Sequence, residues 1–183
     1  GHGSPNPYLA AEIMAGTGAR IGEVLALKWE DIDFAQKTMT FRDTSVYEGG
    51  KITSRGHLKN RDPMRTVYLG QWLLDLLAEH RKDTGLVIAD RNGQMMNSEI
   101  IRRAWRNAYR KAGIPEEAWV KPHDLRRSAG TKIARALGIE AAAAQLGDTV
   151  AVAERHYVMP SYRGPADAGQ YLFGPLNGEG ECG

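Results

Sequence analysis

The sequence is nearly without cysteine: the one thiol, Cys182, sits in a glycine-rich tail. One cysteine forms no intrachain disulfide, and no zinc site can be built from cysteine pairs. No uninterrupted apolar run is long enough to span a bilayer, and no secretory signal pattern opens the chain. Together these absences point to a reducing cytoplasm and to no membrane partner. An excess of one charge sign is lacking too, because 24 Lys and Arg against 22 Asp and Glu leave a net +2. That balance does not by itself specify a polyanionic partner, so the placement of the charges matters more than their sum.

What is present is ordinary for a globular protein, 42% apolar and 25% charged. A length of 183 residues suits one hydrophobic core and is short for two, so a single domain is expected. Gly1-His2-Gly3-Ser4 reads as a tag scar, which sets residues 1–6 apart as an unstructured start. The folded domain is expected over 7–162, followed by a Gly- and Pro-rich tail over 163–183 with one apolar island at Tyr171-Leu172-Phe173.

Helical spacing runs from Tyr8 to Ala15 and again from Arg20 to Leu27, with Thr17-Gly18 between. Thr38–Phe41, Lys51–Ser54 and Arg65–Leu69 are rich in β-branched and aromatic residues, and turn signals at Glu48-Gly49-Gly50 and Asn60-Arg61-Asp62-Pro63 separate them. They predict a small antiparallel sheet of two or three strands. Helical patterning returns from Gln71 to Lys82, with Trp72, Leu73, Leu76 and Leu77 on one face. A basic helix capped by Ser98 is predicted to about Ala112, then helices over His123–Leu137, Ile139–Leu146 and Val150–Tyr157. The expected fold class is α+β, mostly α-helical with the small sheet inserted early.

Five segments carry polar groups suited to chemistry. In Pro122-His123-Asp124-Leu125-Arg126, His123 and Arg126 are one helical turn apart and can face one ligand. A helix-start histidine with a solvated arginine explains that pair equally. In Thr17-Gly18-Ala19-Arg20-Ile21-Gly22-Glu23, Arg20 stands where a cation opposes the helix dipole, which suits an anion-holding task or a surface arginine offset by Glu23. Lys51, Arg55, His57, Lys59, Arg61 and Arg65 make the strand region basic, either to track phosphates or to guard a sheet edge. The helix bearing Arg102, Arg103, Arg106, Arg110 and Lys111 reads as a solvated face. Near the end stand Leu146-Gly147-Asp148 and then His156-Tyr157, where the tyrosine is a core phenol or a nucleophile.

In order and spacing, these parts resemble the tyrosine recombinase (phage integrase) family from about Thr17 to Tyr157. The resemblance implies that Tyr157 attacks a DNA phosphodiester, forming a 3′-phosphotyrosyl bond without metal, ATP or other cofactor. It implies that Arg20 and Arg126 hold the non-bridging oxygens, that Lys59 protonates the leaving 5′-oxygen, and that His123 assists the phenol or hydrogen-bonds the phosphate. Glu23 would orient a neighbouring group. The family usually has histidine or tryptophan where this chain has Asp148, which cannot donate to a phosphate but can accept from an arginine or from the tyrosine. Arg55, Arg61, Arg65 and Lys121 are the expected DNA contacts. Double-stranded DNA is the implied partner, bound by a homo-tetramer whose N-terminal core-binding domain is absent from this chain and whose C-terminal tail exchanges between protomers. A non-catalytic DNA-binding relative and a type IB topoisomerase are the alternatives.

Overall fold

The computed structural model describes residues 6–56 and 64–157. Its first helix, α1 (Asn6–Thr17), buries Leu9, Ala10, Ile13 and Met14, the i, i+1, i+4, i+5 stripe of a core-facing helix. The Thr17 hydroxyl donates to the Ile13 carbonyl at 2.6 Å and accepts the Ala19 N–H at 3.1 Å, which closes the helix. Gly18 then turns the chain at φ 72°, a left-handed conformation that favours glycine. The short α2 (Ile21–Ala26) begins directly after Arg20 and buries Glu23, Val24 and Leu25.

Among the described residues five strands follow: β1 (Ile32–Asp33), β2 (Thr38–Phe41), β3 (Asp43–Glu48), β4 (Lys51–Gly56) and β5 (Arg65–Tyr68). They form two antiparallel units rather than one, a three-stranded sheet in the order β1-β2-β5 and a separate β3-β4 hairpin. The Lys51–Ser54 run therefore belongs to the hairpin, opposite a strand over 43–48 that the sequence reading did not propose. Glu48 pairs with Lys51 across Gly49 (φ 58°) and Gly50 (φ 78°), the two positive-φ positions of a type I′ turn. In the three-stranded sheet Met39 pairs with Val67 and Phe41 with Arg65, all four on the buried face. The turn expected at Asn60-Arg61-Asp62-Pro63 lies outside the described residues.

The remaining helices are α3 (Gln71–Glu79), α4 (Ser98–Lys111), α5 (Pro122–Leu137), α6 (Ile139–Leu146) and α7 (Val150–Tyr157). α3 buries Leu73, Leu74 and Leu77 while Trp72 is 51% exposed, so the inward stripe is rotated by one residue from the one expected. The N-cap of α4 is Asn97, not Ser98; its side chain accepts the Glu99 N–H at 2.9 Å. Leu86 bridges Lys28 as an isolated pairing rather than founding an element. The main core gathers α1, α2, α3 and the three-stranded sheet, and a second cluster of Ala143, Leu146, Ala153 and Tyr157 joins α6 to α7.

Packing between α5 and α7 depends on Gly130. A Cβ there would stand 2.6 and 2.7 Å from Tyr157 ring carbons and 2.8 Å from Leu146 Cδ1. In an open helix Gly→Ala gains about 1 kcal/mol, whereas overpacking a core costs about 1–3 kcal/mol. Gly130→Ala is therefore expected to lower the unfolding free energy despite its better helix propensity. Urea titration checks this, and a midpoint at or above the parent's would show that the ring is not held against α5.

Candidate active site

Four chain segments meet at one point: the start of α2, the start of β5, the first turns of α5, and the turn from α6 to α7. The α6 end is the hub. Gly147 adopts φ 67°, its N–H donates to Ala144 O at 3.3 Å, and the Asp148 N–H donates to Ala143 O at 3.0 Å. These two bonds are the Schellman pattern, and they fix the direction in which the Asp148 side chain leaves the backbone. The carbonyls left over at that helix end meet arginines. Arg65 Nε donates to Gln145 O at 3.0 Å and Arg126 Nη2 to Leu146 O at 2.9 Å. Cations there also oppose the negative end of the helix dipole.

Asp148 is the centre of the cluster. Its Oδ1 accepts from Arg20 Nη2 at 2.8 Å, and its Oδ2 accepts from Arg126 Nη2 at 2.7 Å and from the Tyr157 hydroxyl at 2.8 Å. Arg126 is buried and also donates through Nη1 to Gly18 O at 2.8 Å, which ties α5 to the turn before α2. The Arg20 side chain is 44% exposed, so one side of the cluster faces solvent. Tyr157 is buried at 3% exposure. Burial, then the hydrogen bond to Asp148 and its charge, hold the phenol above its ordinary 10.0, and Arg126 acts in the opposite direction.

Beneath this layer lies a buried ion pair. Both Glu23 carboxylate oxygens accept from Arg65, Oε1 from Nη1 and Oε2 from Nη2, each at 2.7 Å. Glu23 also accepts the Arg20 backbone N–H at 2.7 Å and its guanidinium at 3.3 Å. Glu23 is thus the residue that orients Arg20. Burial alone would raise its carboxyl, but the Arg65 hydrogen bonds and charge, together with Arg20, outweigh it and hold the pKa below the ordinary 4.5. A depressed carboxyl contributes stability above the ordinary carboxylate range, and that share is lost as pH falls through its lowered value.

Arg65 was expected to contact DNA, and the structure places it elsewhere. Its side chain is 7% exposed, lies 4.6 Å over the Phe41 ring, and is held by Glu23 and the Gln145 carbonyl. The signal was available in the strand alternation, since Arg65 shares its face with buried Val67. Of the other expected residues, Arg20, Arg126, Asp148 and Tyr157 come together. His123 is exposed one turn before Arg126, and its side chain makes no hydrogen bond among the described residues. Lys121 is exposed at the start of α5, where its backbone N–H donates to Asp124 at 2.8 Å. Arg55 lies on the hairpin and pairs with Glu48. Lys59 and Arg61 lie outside the described residues.

Breaking a buried pair by removing one partner costs about 3–5 kcal/mol. Arg65→Met is expected to lose stability of that order, and Arg65→Met combined with Glu23→Gln to lose less, because no bare carboxylate remains. Guanidinium unfolding of the four proteins of this cycle measures it, and a double variant no more stable than Arg65→Met would contradict the pairing. At the other end of the pH scale, a raised phenol contributes stability below pH 10.0 that is lost as pH rises through its folded value. The phenolate absorbance that disappears in Tyr157→Phe should therefore develop above pH 10.0 in the folded parent. Titration of that tyrosine below 10.0 would show that it is not held by Asp148.

The phage integrase family model matches residues 4–159. The chain is 27% identical over 143 residues to a tyrosine recombinase XerC-like protein of Caldanaerobacter subterraneus, covering 64% of this chain and 36% of that one. It is 30% identical over 135 residues to the virulence plasmid integrase pGP8-D of Chlamydia muridarum, covering 72% and 36%. It therefore spans about a third of the length of these curated relatives. Its fold superposes on the Tn1549 transposon integrase, solved in complex with transposon right end DNA, with TM-score 0.70 at 17% identity over 91% of this chain and 57% of the other. On XerA recombinase the TM-score is 0.62 at 24% identity, over 86% and 55%. The fold is thus that of a tyrosine recombinase catalytic domain, and by the family match the chain belongs to the phage integrase family of tyrosine recombinases.

Proposed function

We propose that this chain is the catalytic domain of a site-specific DNA recombinase that cuts and rejoins strands through a covalent 3′-phosphotyrosyl intermediate. The observation that carries the reading is that two guanidiniums and one tyrosine hydroxyl converge on a single anionic group, all within 2.8 Å of an Asp148 oxygen. An anion seat flanked by a hydroxyl nucleophile is what phosphoryl transfer from DNA requires.

In this mechanism Tyr157 Oη attacks the phosphorus, and Arg20 and Arg126 neutralise charge growing on the non-bridging oxygens. Their guanidiniums stay charged at any working pH and are already oriented by Glu23 and by the Gly18 and Leu146 carbonyls. Lys59 protonates the departing 5′-oxygen, by its place in the family resemblance. His123, exposed on the solvent side, hydrogen-bonds the phosphate. The new phosphotyrosyl ester retains the energy of the broken bond, so rejoining by a partner 5′-hydroxyl needs neither ATP nor metal. Double-stranded DNA lies along Arg55, Arg61 and Lys121, with a tetramer as the working assembly. Residues 7–162 form the catalytic domain, 163–183 a tail that exchanges between protomers, and the cytoplasm is the compartment.

A DNA-binding relative without catalysis is the second reading, favoured only by the Asp148 carboxylate in the anion seat. Nicked suicide duplexes decide between them, because loss of the short fragment beyond the cut traps any covalent intermediate. The expected result is a detergent-stable protein–DNA adduct, lost in Tyr157→Phe and formed about 10²–10³ times more slowly by Arg20→Ala. An adduct that persists in Tyr157→Phe removes Tyr157 from the mechanism.

A further inference from the structure

We propose that Asp148 is the general base of the cleavage step, taking the Tyr157 proton as the phenol attacks the phosphate. This rests on the phosphotyrosyl reading above and assigns the proton that reading leaves unplaced. Among the described residues Asp148 is the only proton acceptor hydrogen-bonded to the Tyr157 hydroxyl, at 2.8 Å from Oδ2. The two nearby histidines do not compete. His123 is exposed without a bond to Tyr157, and His156 is exposed on the adjacent position with its ring centroid 6.2 Å from the Tyr157 ring. A buried phenol held in its neutral form offers little free phenolate, so proton removal has to accompany attack.

The step balances. The Oη–H bond breaks and its proton passes to Asp148 Oδ2 as the Oη–P bond forms; the P–O5′ bond breaks, and the 5′-oxygen takes a proton from the leaving-group acid. Protonation also neutralises the anion that Arg20 and Arg126 share, while Glu23 and the Gly18 and Leu146 carbonyls keep the two guanidiniums in place. The donors that faced Asp148 are then freed toward the phosphate oxygens at the moment charge builds on them. In rejoining, the Asp148 carboxylic acid returns the proton to Oη as the Oη–P bond breaks. A carboxylate in the anion seat, which looks like an obstacle to DNA, thereby becomes part of the reaction.

The test uses the whole chain and nicked duplexes of randomised sequence, from which the parent's covalent adducts are selected. Adduct formation is then timed on those duplexes with an ordinary 5′-oxygen and with a bridging 5′-sulfur, which leaves as thiolate and needs no acid. Asp148→Asn is expected to slow both by about 10²–10⁴-fold. In a Tyr157→Phe background, Asp148→Asn should bind the same duplexes at least as tightly, since it removes a negative charge. Asp148→His puts an imidazole at the acceptor position, and its rate should fall with acid near roughly pH 6.5, where the parent's does not. The charged groups around position 148 (Arg20 before α2, Arg126 on α5, Tyr157 on α7, and Glu23 and Arg65 behind them) are common to both proteins. So are His123 and His156. An Asp148→Asn protein that forms adduct as fast as the parent overturns the proposal, as does a defect that vanishes with the sulfur substrate or an Asp148→His profile that follows the parent's. A parent that captures no duplex at all removes the phosphotyrosyl reading itself, and the base with it.

Discussion

A carboxylate with 1% of its surface exposed cannot stand alone, and the pairing of Glu23 with Arg65 is the constraint around which the site is arranged. Glu23 belongs to a helix of six residues, too short to hold its own direction by backbone bonds alone. Arg65 anchors it to β5, and the same guanidinium reaches across to the end of α6. Three elements distant in sequence are therefore clamped by one planar group with its donors in a fixed fork. Lysine, with a single mobile ammonium, would satisfy the charge but not all three directions.

The second layer inherits this geometry. Arg20 is aimed by Glu23, Arg126 by two backbone carbonyls, and Asp148 by the closing turn of α6. Each group that would meet a ligand is positioned by a partner that is itself buried or backbone, so little reorganisation is left for the reaction. The only large exposure among the clustered side chains is that of Arg20, which marks the side on which the cluster opens to solvent.

Much of this arrangement is legible in the sequence. The boundaries of α6 and α7 follow from Gly138, Gly147 and the apolar spacing between them, and the order of Arg20, His123, Arg126 and Tyr157 carried the family resemblance. Local signals failed where a distant partner decides. Arg65 reads as one more cation in a basic strand region until Glu23 is found opposite it. The 43–48 strand has Thr44, Val46 and Tyr47 diluted by Asp43, Ser45 and Glu48, and its pairing with β4 across the Gly49-Gly50 turn completes what the local signal leaves faint. Whether Trp72 or Leu74 turns inward on α3 is set by packing against the core, since both fit a helical stripe.

The burial of Tyr157 against Gly130 joins two roles in one side chain. The ring is core, wedged between α5, α6 and α7, while its oxygen alone meets the Asp148 cluster. Under the proposed mechanism, selection on the residue is split at a single atom: ring size answers to folding, the hydroxyl to reactivity. A lineage that lost the reaction could drop that oxygen and keep every ring contact, leaving a stably folded scaffold free to acquire another use.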